Sequence, residues 1–135
     1  MTAEHIVSVG AGRMGRGMAI AFAYAGHAVT LIDAKPRDAD GYAALRADAE
    51  TEITRTLTML AGFGMLAATE VAPFAARVTI LPLADAPDAL ASAQVIFEGV
   101  PETLDAKRDA FTLISAHAPA DAIIASTTST ILSND

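Results

Sequence analysis

The chain has 135 residues, a length that predicts one domain spanning residues 1–135. Nine lysine and arginine residues against sixteen acidic residues give a net charge of −7, which disfavours nucleic acid as a partner because basic side chains supply most of that affinity. The absence of cysteine excludes disulfides, thiol catalysis and cysteine metal sites, and we expect no bound metal. No apolar run approaches the roughly 20 residues that cross a bilayer, and too few residues precede Gly10 for a signal peptide, so we expect a soluble cytoplasmic protein without a membrane partner.

Short apolar runs alternate with helical segments in the first quarter of the chain. Residues 5–9 form a predicted buried strand that ends at Gly10, and the alanine-rich residues 14–25 form a predicted helix that stops at Gly26. Residues 28–32 are a second predicted strand, followed by Asp33.

Two helices are predicted before the third strand. Asp40 is a candidate N-cap for the long one, which ends at Gly62 and Gly64, and Thr69 is a candidate N-cap for a shorter helix over residues 69–76. Apolar residues recur every three or four positions along the long helix and give it one apolar face. They are Tyr42, Leu45, Ala49, Ile53, Leu57 and Leu60.

The alternation continues to the end of the sequence. A loop with one helical turn is predicted over residues 82–91, and a polar loop over residues 126–130. Strands are predicted over residues 77–81, 94–97 and 122–125, and a helix over Leu104–His117. Strands that alternate with helices indicate an α/β fold with a doubly wound parallel sheet, truncated after about the fifth strand.

The most specific motif is Gly10-Ala11-Gly12-Arg13-Met14-Gly15, which fits G-x-G-x-x-G between a predicted strand and a predicted helix. The first glycine permits a tight turn, the second lets the backbone approach a diphosphate, and the third allows close packing of helix on strand. This motif predicts a Rossmann-type site in which the loop, including Arg13 and Met14, binds the diphosphate of a dinucleotide.

Asp33 follows the second strand about 20 residues beyond the loop, where a carboxylate accepts hydrogen bonds from the adenosine ribose. It would repel a 2′-phosphate, so we expect NAD rather than NADP as the cofactor. Lys35 and Arg37 lie near enough in sequence to soften that preference. The alternative is an ordinary strand–helix turn with Asp33 in a surface loop.

Three stretches resemble landmarks of the L-3-hydroxyacyl-CoA dehydrogenase family, in the family's order. The two helices before the third strand also resemble that family's helical hairpin near the acyl-CoA site. The landmarks are Val9-Gly10-Ala11-Gly12-Arg13-Met14-Gly15-Arg16-Gly17-Met18-Ala19, Glu98-Gly99-Val100-Pro101-Glu102-Thr103-Leu104-Asp105-Ala106-Lys107 and Ala125-Ser126-Thr127-Thr128-Ser129-Thr130-Ile131.

The resemblance implies that the protein oxidises the 3-hydroxyl of an acyl-CoA and passes hydride to NAD. It implies that Glu102 and Lys107 line the nicotinamide end of the cleft. It also implies that Ser129 is the catalytic residue that hydrogen-bonds the 3-hydroxyl or keto oxygen of the substrate. Thr127 stands where the family often has Asn and is a further candidate cofactor contact. Alternatively, Glu102 complements a helix dipole, Lys107 is solvated, and the Ser/Thr run is a polar turn.

The substrate and the extent of the enzyme stay open at this point. The sequence around Pro101-Glu102 also resembles that of L-gulonate and carnitine dehydrogenases, which act on free hydroxy acids. The predicted hairpin carries few basic residues for a CoA phosphate, chiefly Arg46 and Arg55. A further alternative is a non-catalytic NAD-binding module.

The family's general base is a histidine in a His-Phe-x-Asn-Pro motif beyond the third landmark, and no such motif precedes Asp135. We do not expect His5, His27 or His117 to replace it, and we expect this chain to lack the C-terminal helical domain that in the family completes the substrate site and dimerises. We therefore expect this chain to bind NAD without turning over substrate. The fifth strand would be an apolar sheet edge, from which we expect a homo-oligomer.

Overall fold

The computed structural model describes residues 5–126, and five short parallel strands form its centre. In chain order the strands are β1 (Ile6–Val9), β2 (Val29–Ile32), β3 (Val78–Leu81), β4 (Val95–Glu98) and β5 (Ile123–Ser126). Their spatial order is β3-β2-β1-β4-β5, and every neighbouring pair is parallel. The chain places β2 and β3 on one side of β1 and then β4 and β5 on its other side. The topological switch point of the sheet therefore lies between β1 and β4.

Helices cover both faces of this sheet. They are α1 (Arg13–Tyr24), α2 (Ala39–Gly62), α3 (Val71–Ala75), α4 (Ala86–Ala91) and α5 (Leu104–His117). This arrangement confirms the doubly wound α/β prediction, and α2 and α3 are the two helices expected between the second and third strands.

Alternation of side chains along the strands divides the core into two layers. Ile6 and Leu31 face one layer, which α1 and α2 complete with residues such as Ile53. Val7 and Ile32 face the other, which α4 and α5 complete. All four residues of β1 are buried, as expected for a central strand of a parallel sheet covered on both faces.

Two predicted helix caps are wrong. The side chain of Asp38, not Asp40, caps α2 by accepting the Gly41 N–H at 2.6 Å, and Asp40 lies in the first turn. Thr69 lies inside a short 3₁₀ turn (Ala68–Glu70) that precedes α3, and the Glu70 carboxylate there accepts the Ala67 N–H. Both errors arise because several polar residues compete for one helix start, and backbone direction decides which of them reaches a free N–H.

The predicted loop over residues 82–91 is largely helical, which corrects a further prediction. It contains a 3₁₀ turn (Leu83–Asp85) followed by α4. Ala86, Ala89 and Leu90 are buried in the second core layer, where α4 packs against α5. Tertiary packing therefore stabilises a helix that is too short to show a clear period in sequence.

Within residues 5–126, no helix combines the length and the apolar character that crossing a membrane requires.

Candidate functional site

The loop between β1 and α1 lies where the carboxyl ends of three strands converge. Gly10 adopts a positive φ of 119°, and its N–H donates to the Ile32 carbonyl at the end of β2. A Cβ at Gly10 would lie 2.7 Å from the Gly99 carbonyl oxygen beyond β4. The turn therefore requires glycine, for backbone conformation and for space.

The other two glycines of the motif differ in what surrounds them. A Cβ at Gly15 would lie 2.0 Å from the Gly10 carbonyl oxygen, so this glycine allows α1 to pack against the loop. A Cβ at Gly12 would meet no atom within 4 Å, so the space in front of Gly12 is open. This pattern fits a backbone cradle for a diphosphate, which a side chain at Gly12 would fill.

The start of α1 has the electrostatics of an anion site. Gly12 is its N-cap residue, no side chain caps the helix, and its first turn has no acidic residue. Arg13 and Met14 are exposed in that turn. The positive end of the helix dipole therefore lies beside open space, an arrangement that suits a phosphate.

Asp33 lies at the end of β2 and is 3% exposed. Its carboxylate accepts the Lys35 N–H at 3.2 Å and Nε of Arg37 at 2.6 Å. It lines a cleft of ≈ 340 Å³ together with Tyr42 and Pro82. Asp33 therefore lines a cleft, and its carboxylate already forms an ion pair with Arg37.

A second cleft of ≈ 570 Å³ lies between the loop after β2 and α5. Its lining is mostly apolar and includes Val9, Ala34, Val100, Ala110 and Leu113. Lys35 and Pro36 line both clefts. A flat aromatic ring is the kind of group that such a cleft binds.

Glu98, the last residue of β4, is fully buried and has three partners at the same edge of the sheet. It accepts Nζ of Lys107 at 2.6 Å and the Val100 N–H at 2.9 Å, and the Ser126 hydroxyl donates to its other oxygen. Lys107 is 4% exposed and lies 4.0 Å from a carboxylate oxygen of Glu102. Lys107 is therefore a buried ion-pair partner rather than a solvated residue of α5.

Of the predicted residues, the loop glycines, Asp33, Glu102 and Lys107 all lie near the carboxyl ends of the strands. Ser129 and Thr127 lie outside residues 5–126, so their predicted roles stay predictions. His5, by contrast, contacts Thr30 and Ser92 at the amino end of the sheet.

The sequence analysis missed two buried polar groups. The first is Glu98, whose signal was an acidic residue at the end of an otherwise apolar strand. The second is Arg16 of α1, which pairs with Asp48 and Glu52 of α2. Burial lowers the pKa of Arg16, but its hydrogen bonds and charge interactions with Glu52 and Asp48 outweigh this, so the net shift of the pKa is upward.

The described residues contain no group of three or more histidine or acidic side chains arranged to hold a metal ion.

The chain is similar to known proteins of one family over nearly its whole length. Residues 5–135 match the family described as 3-hydroxyacyl-CoA dehydrogenase, NAD binding domain. No curated protein matches the chain.

Several solved structures share the fold over nearly the whole chain. A diketoreductase is 27% identical with a TM-score of 0.79, over 99% of this chain and 45% of that one. The 3-hydroxybutyryl-CoA dehydrogenase of Escherichia coli K12 is 27% identical with a TM-score of 0.77, over 97% of this chain and 26% of that one. FadB2 of M. tuberculosis is 28% identical with a TM-score of 0.80, over 97% of this chain and 43% of that one.

The chain spans less than half the length of each of these three structures. The match to the family nonetheless covers residues 5–135, and it includes the glycine loop, Asp33 and the Glu98–Lys107 segment. The chain belongs to the 3-hydroxyacyl-CoA dehydrogenase family, as an NAD-binding domain of that family.

Proposed function

We propose that the chain forms the cofactor-binding part of an enzyme that oxidises the 3-hydroxyl of an acyl-CoA. One observation carries the proposal. The glycine loop, the Glu98–Lys107 pair and Ser126 belong to three separate landmarks of the sequence, and they lie together at the carboxyl edge of β1, β4 and β5. Ligands of open α/β sheets bind at this edge, where the strand order reverses.

In this proposal the α1 dipole and the Gly12 backbone bind the diphosphate, and Asp33 accepts hydrogen bonds from the adenosine ribose. The apolar cleft beside α5 holds the adenine ring. Glu102 and Lys107 line the nicotinamide end, with Thr127 as a further contact. Bound NAD supplies a hydride acceptor, and Ser129 hydrogen-bonds the substrate oxygen.

Oxidation of a hydroxyl also requires a base that accepts its proton as the hydride leaves. Neither His5 nor His27 is at the carboxyl edge of the sheet, because each lies just before the first residue of a strand. His117 ends α5, the helix that returns from that edge. We therefore propose that this stretch of chain binds NAD and that the proton acceptor is a residue beyond the third landmark.

The test measures binding and turnover separately. NADH fluorescence titration of the 135-residue chain is expected to show saturable binding, and acetoacetyl-CoA is expected to perturb the bound NADH signal without oxidising it. Free CoA serves as the control for binding of the nucleotide part alone. Absence of saturable NADH binding would contradict the proposed NAD site, and a response of bound NADH to a free hydroxy acid but to no acyl-CoA would contradict the proposed substrate.

A free hydroxy acid is the second candidate substrate, and one contact favours it. The predicted hairpin has few basic residues for a CoA phosphate, and one of them, Arg46, pairs with Glu50 at 2.8 Å on the surface of α2. Among similar structures, one is a diketoreductase described as acting on dicarbonyl compounds, and another is an NAD-dependent pyridine carboxylic acid dehydrogenase. A response of bound NADH to L-gulonate or carnitine, but not to acetoacetyl-CoA, would support this candidate.

A further inference from the structure

A buried arginine next to the glycine loop has no role in the site as described so far. Arg16 lies in the second turn of α1 and is 7% exposed. Its Nε donates to the Ala11 carbonyl oxygen at 2.8 Å, and its Nη1 donates to Asp48 at 2.8 Å and to Glu52 at 2.6 Å. One guanidinium group therefore joins the loop, α1 and α2.

The bond to Ala11 fixes the orientation of one particular peptide group. The carbonyl of Ala11 and the N–H of Gly12 belong to the same planar trans peptide, so they point in opposite directions. Because Arg16 holds the carbonyl on the buried side of the loop, the Gly12 N–H is directed away from the guanidinium. Ala11 is buried and Gly12 is exposed, which agrees with this orientation.

The two carboxylates determine what kind of group Arg16 is. Asp48 and Glu52 place two negative charges against one positive charge, so the cluster as a whole is not a cation for a phosphate. Both acids lie on α2, one turn apart, and both accept from Nη1, whereas the Ala11 carbonyl accepts from Nε. Arg16 is therefore suited to orient the backbone rather than to bind an anion itself.

We propose that Arg16 is a positioning residue for NAD: it holds the Ala11–Gly12 peptide so that the Gly12 N–H is presented to the diphosphate, and Asp48 and Glu52 of α2 hold Arg16 in place. The proposal concerns dinucleotide binding alone and does not depend on which substrate the enzyme oxidises.

The test compares ligands with and without a diphosphate on the 135-residue chain. Arg16→Met keeps most of the side-chain length and removes the donors. It is expected to weaken ADP and NADH binding about tenfold, the scale of one charge-assisted hydrogen bond. Adenosine binding, followed by NMR, is expected to change less than about twofold because adenosine does not reach the loop. An equal loss for adenosine and ADP, or no loss for either, would overturn the proposal.

A second readout reports on the peptide itself. In an amide NMR spectrum of the wild-type chain, addition of ADP is expected to shift the Gly12 N–H signal strongly, and this shift is expected to be lost in Arg16→Met. The matched control is Arg77→Met, which removes an arginine that donates to the Ala23 carbonyl oxygen, at the end of α1 remote from the glycine loop. It is expected to leave ADP affinity and the Gly12 response unchanged.

The acids provide the decisive variant if Arg16→Met does not fold. The double variant Asp48→Asn, Glu52→Gln keeps Arg16 but frees it from α2. A positioning role predicts weaker ADP binding, because the guanidinium no longer holds the loop in one orientation. A direct role as phosphate ligand predicts tighter ADP binding, because the positive charge of Arg16 is no longer offset by the two carboxylates. Tighter binding would therefore overturn the proposal.

Discussion

At the scale of single residues, two glycines of the G-x-G-x-x-G motif differ in whether the fold requires them. Gly15 is needed for packing, because a side chain there would collide with the Gly10 carbonyl. Gly12 is free of such contacts and has an extended backbone with φ −86° and ψ −160°, which other residues adopt readily. The fold therefore does not require glycine at position 12, whereas the proposed diphosphate site does.

We expect Gly12→Val to abolish NAD binding and leave the fold intact, because the valine side chain would occupy the place of the diphosphate. NADH titration and thermal unfolding measure the two effects. Gly15→Ala is the contrasting variant, and it is expected to lower the melting temperature. Full NADH affinity in a folded Gly12→Val variant would contradict the assignment of the loop.

Asp33 and Arg37 form a pair with opposite expected effects on cofactor choice. Asp33→Ala removes the acceptor for the ribose hydroxyls and is expected to weaken NAD binding about tenfold, while the bias against NADP relaxes. Arg37→Ala leaves the Asp33 charge unpaired, so the ratio of the NADP and NAD dissociation constants is expected to rise. Calorimetry with both nucleotides measures the ratio, and movement in the same direction for both variants would refute this account.

At the scale of secondary structure, α2 illustrates how a helix start is selected. Two acidic residues lie at its start, Asp38 at the cap position and Asp40 in the first turn. Only Asp38 has the extended backbone that lets its side chain turn back onto the Gly41 N–H. Spacing in the sequence identified the helix but not its cap.

Asp38→Ala is expected to lower the free energy of unfolding by about 1 kcal/mol, the usual cost of losing a capping side chain. Urea denaturation measures this change. Asp40→Ala serves as the control and is expected to cost less, because Asp40 interacts only with the helix dipole. A larger loss of stability for Asp40→Ala than for Asp38→Ala would indicate that Asp40 caps the helix.

At the scale of the whole molecule, one buried ion pair and a serine hydroxyl join three elements of the chain. Glu98 ends β4, Lys107 belongs to α5 and Ser126 ends β5. Burying two charges costs free energy that their mutual contact only partly offsets, and removing one partner leaves the other uncompensated. The pair therefore holds the carboxyl edge of the sheet in one arrangement.

We expect Glu98→Ala to lower the free energy of unfolding by about 3–5 kcal/mol, because the buried Lys107 ammonium loses its close carboxylate partner and keeps only Glu102, at 4.0 Å. The double variant Glu98→Leu, Lys107→Met is expected to recover a large part of this loss. Chemical denaturation of the three proteins measures both effects. A loss below about 1 kcal/mol for Glu98→Ala would indicate that water reaches Lys107.

The edge of the sheet at β5 bears on the assembly of the molecule. Ile123 and Ile124 are 65% and 46% exposed, and β5 pairs with β4 on one side only within residues 5–126. Exposed apolar edge strands pair with other chains, so we expect the 135-residue chain to self-associate. Sedimentation velocity at increasing concentration measures this, with Ile123→Lys as the variant expected to weaken it. A monomer at every concentration would contradict the prediction.

The sequence by itself determined the alternation of strands and helices, the glycine loop and the position of Asp33, because these depend on residues close together along the chain. The motif glycines all lie within six residues, at Gly10, Gly12 and Gly15. The recurrence of apolar residues every three or four positions likewise predicts α2 from a local pattern. Recognition of the family followed from the same local stretches.

Only the tertiary structure decided which charges meet. Arg16 lies 32 and 36 residues from Asp48 and Glu52, and Glu98 lies 28 residues from Ser126. No local pattern distinguishes Arg16, Asp48 and Glu52 from solvated side chains, since burial depends on how helices pack against each other and against the sheet. The helix α4 followed from the same cause, because contact with α5, rather than its own propensity, stabilises so short a segment.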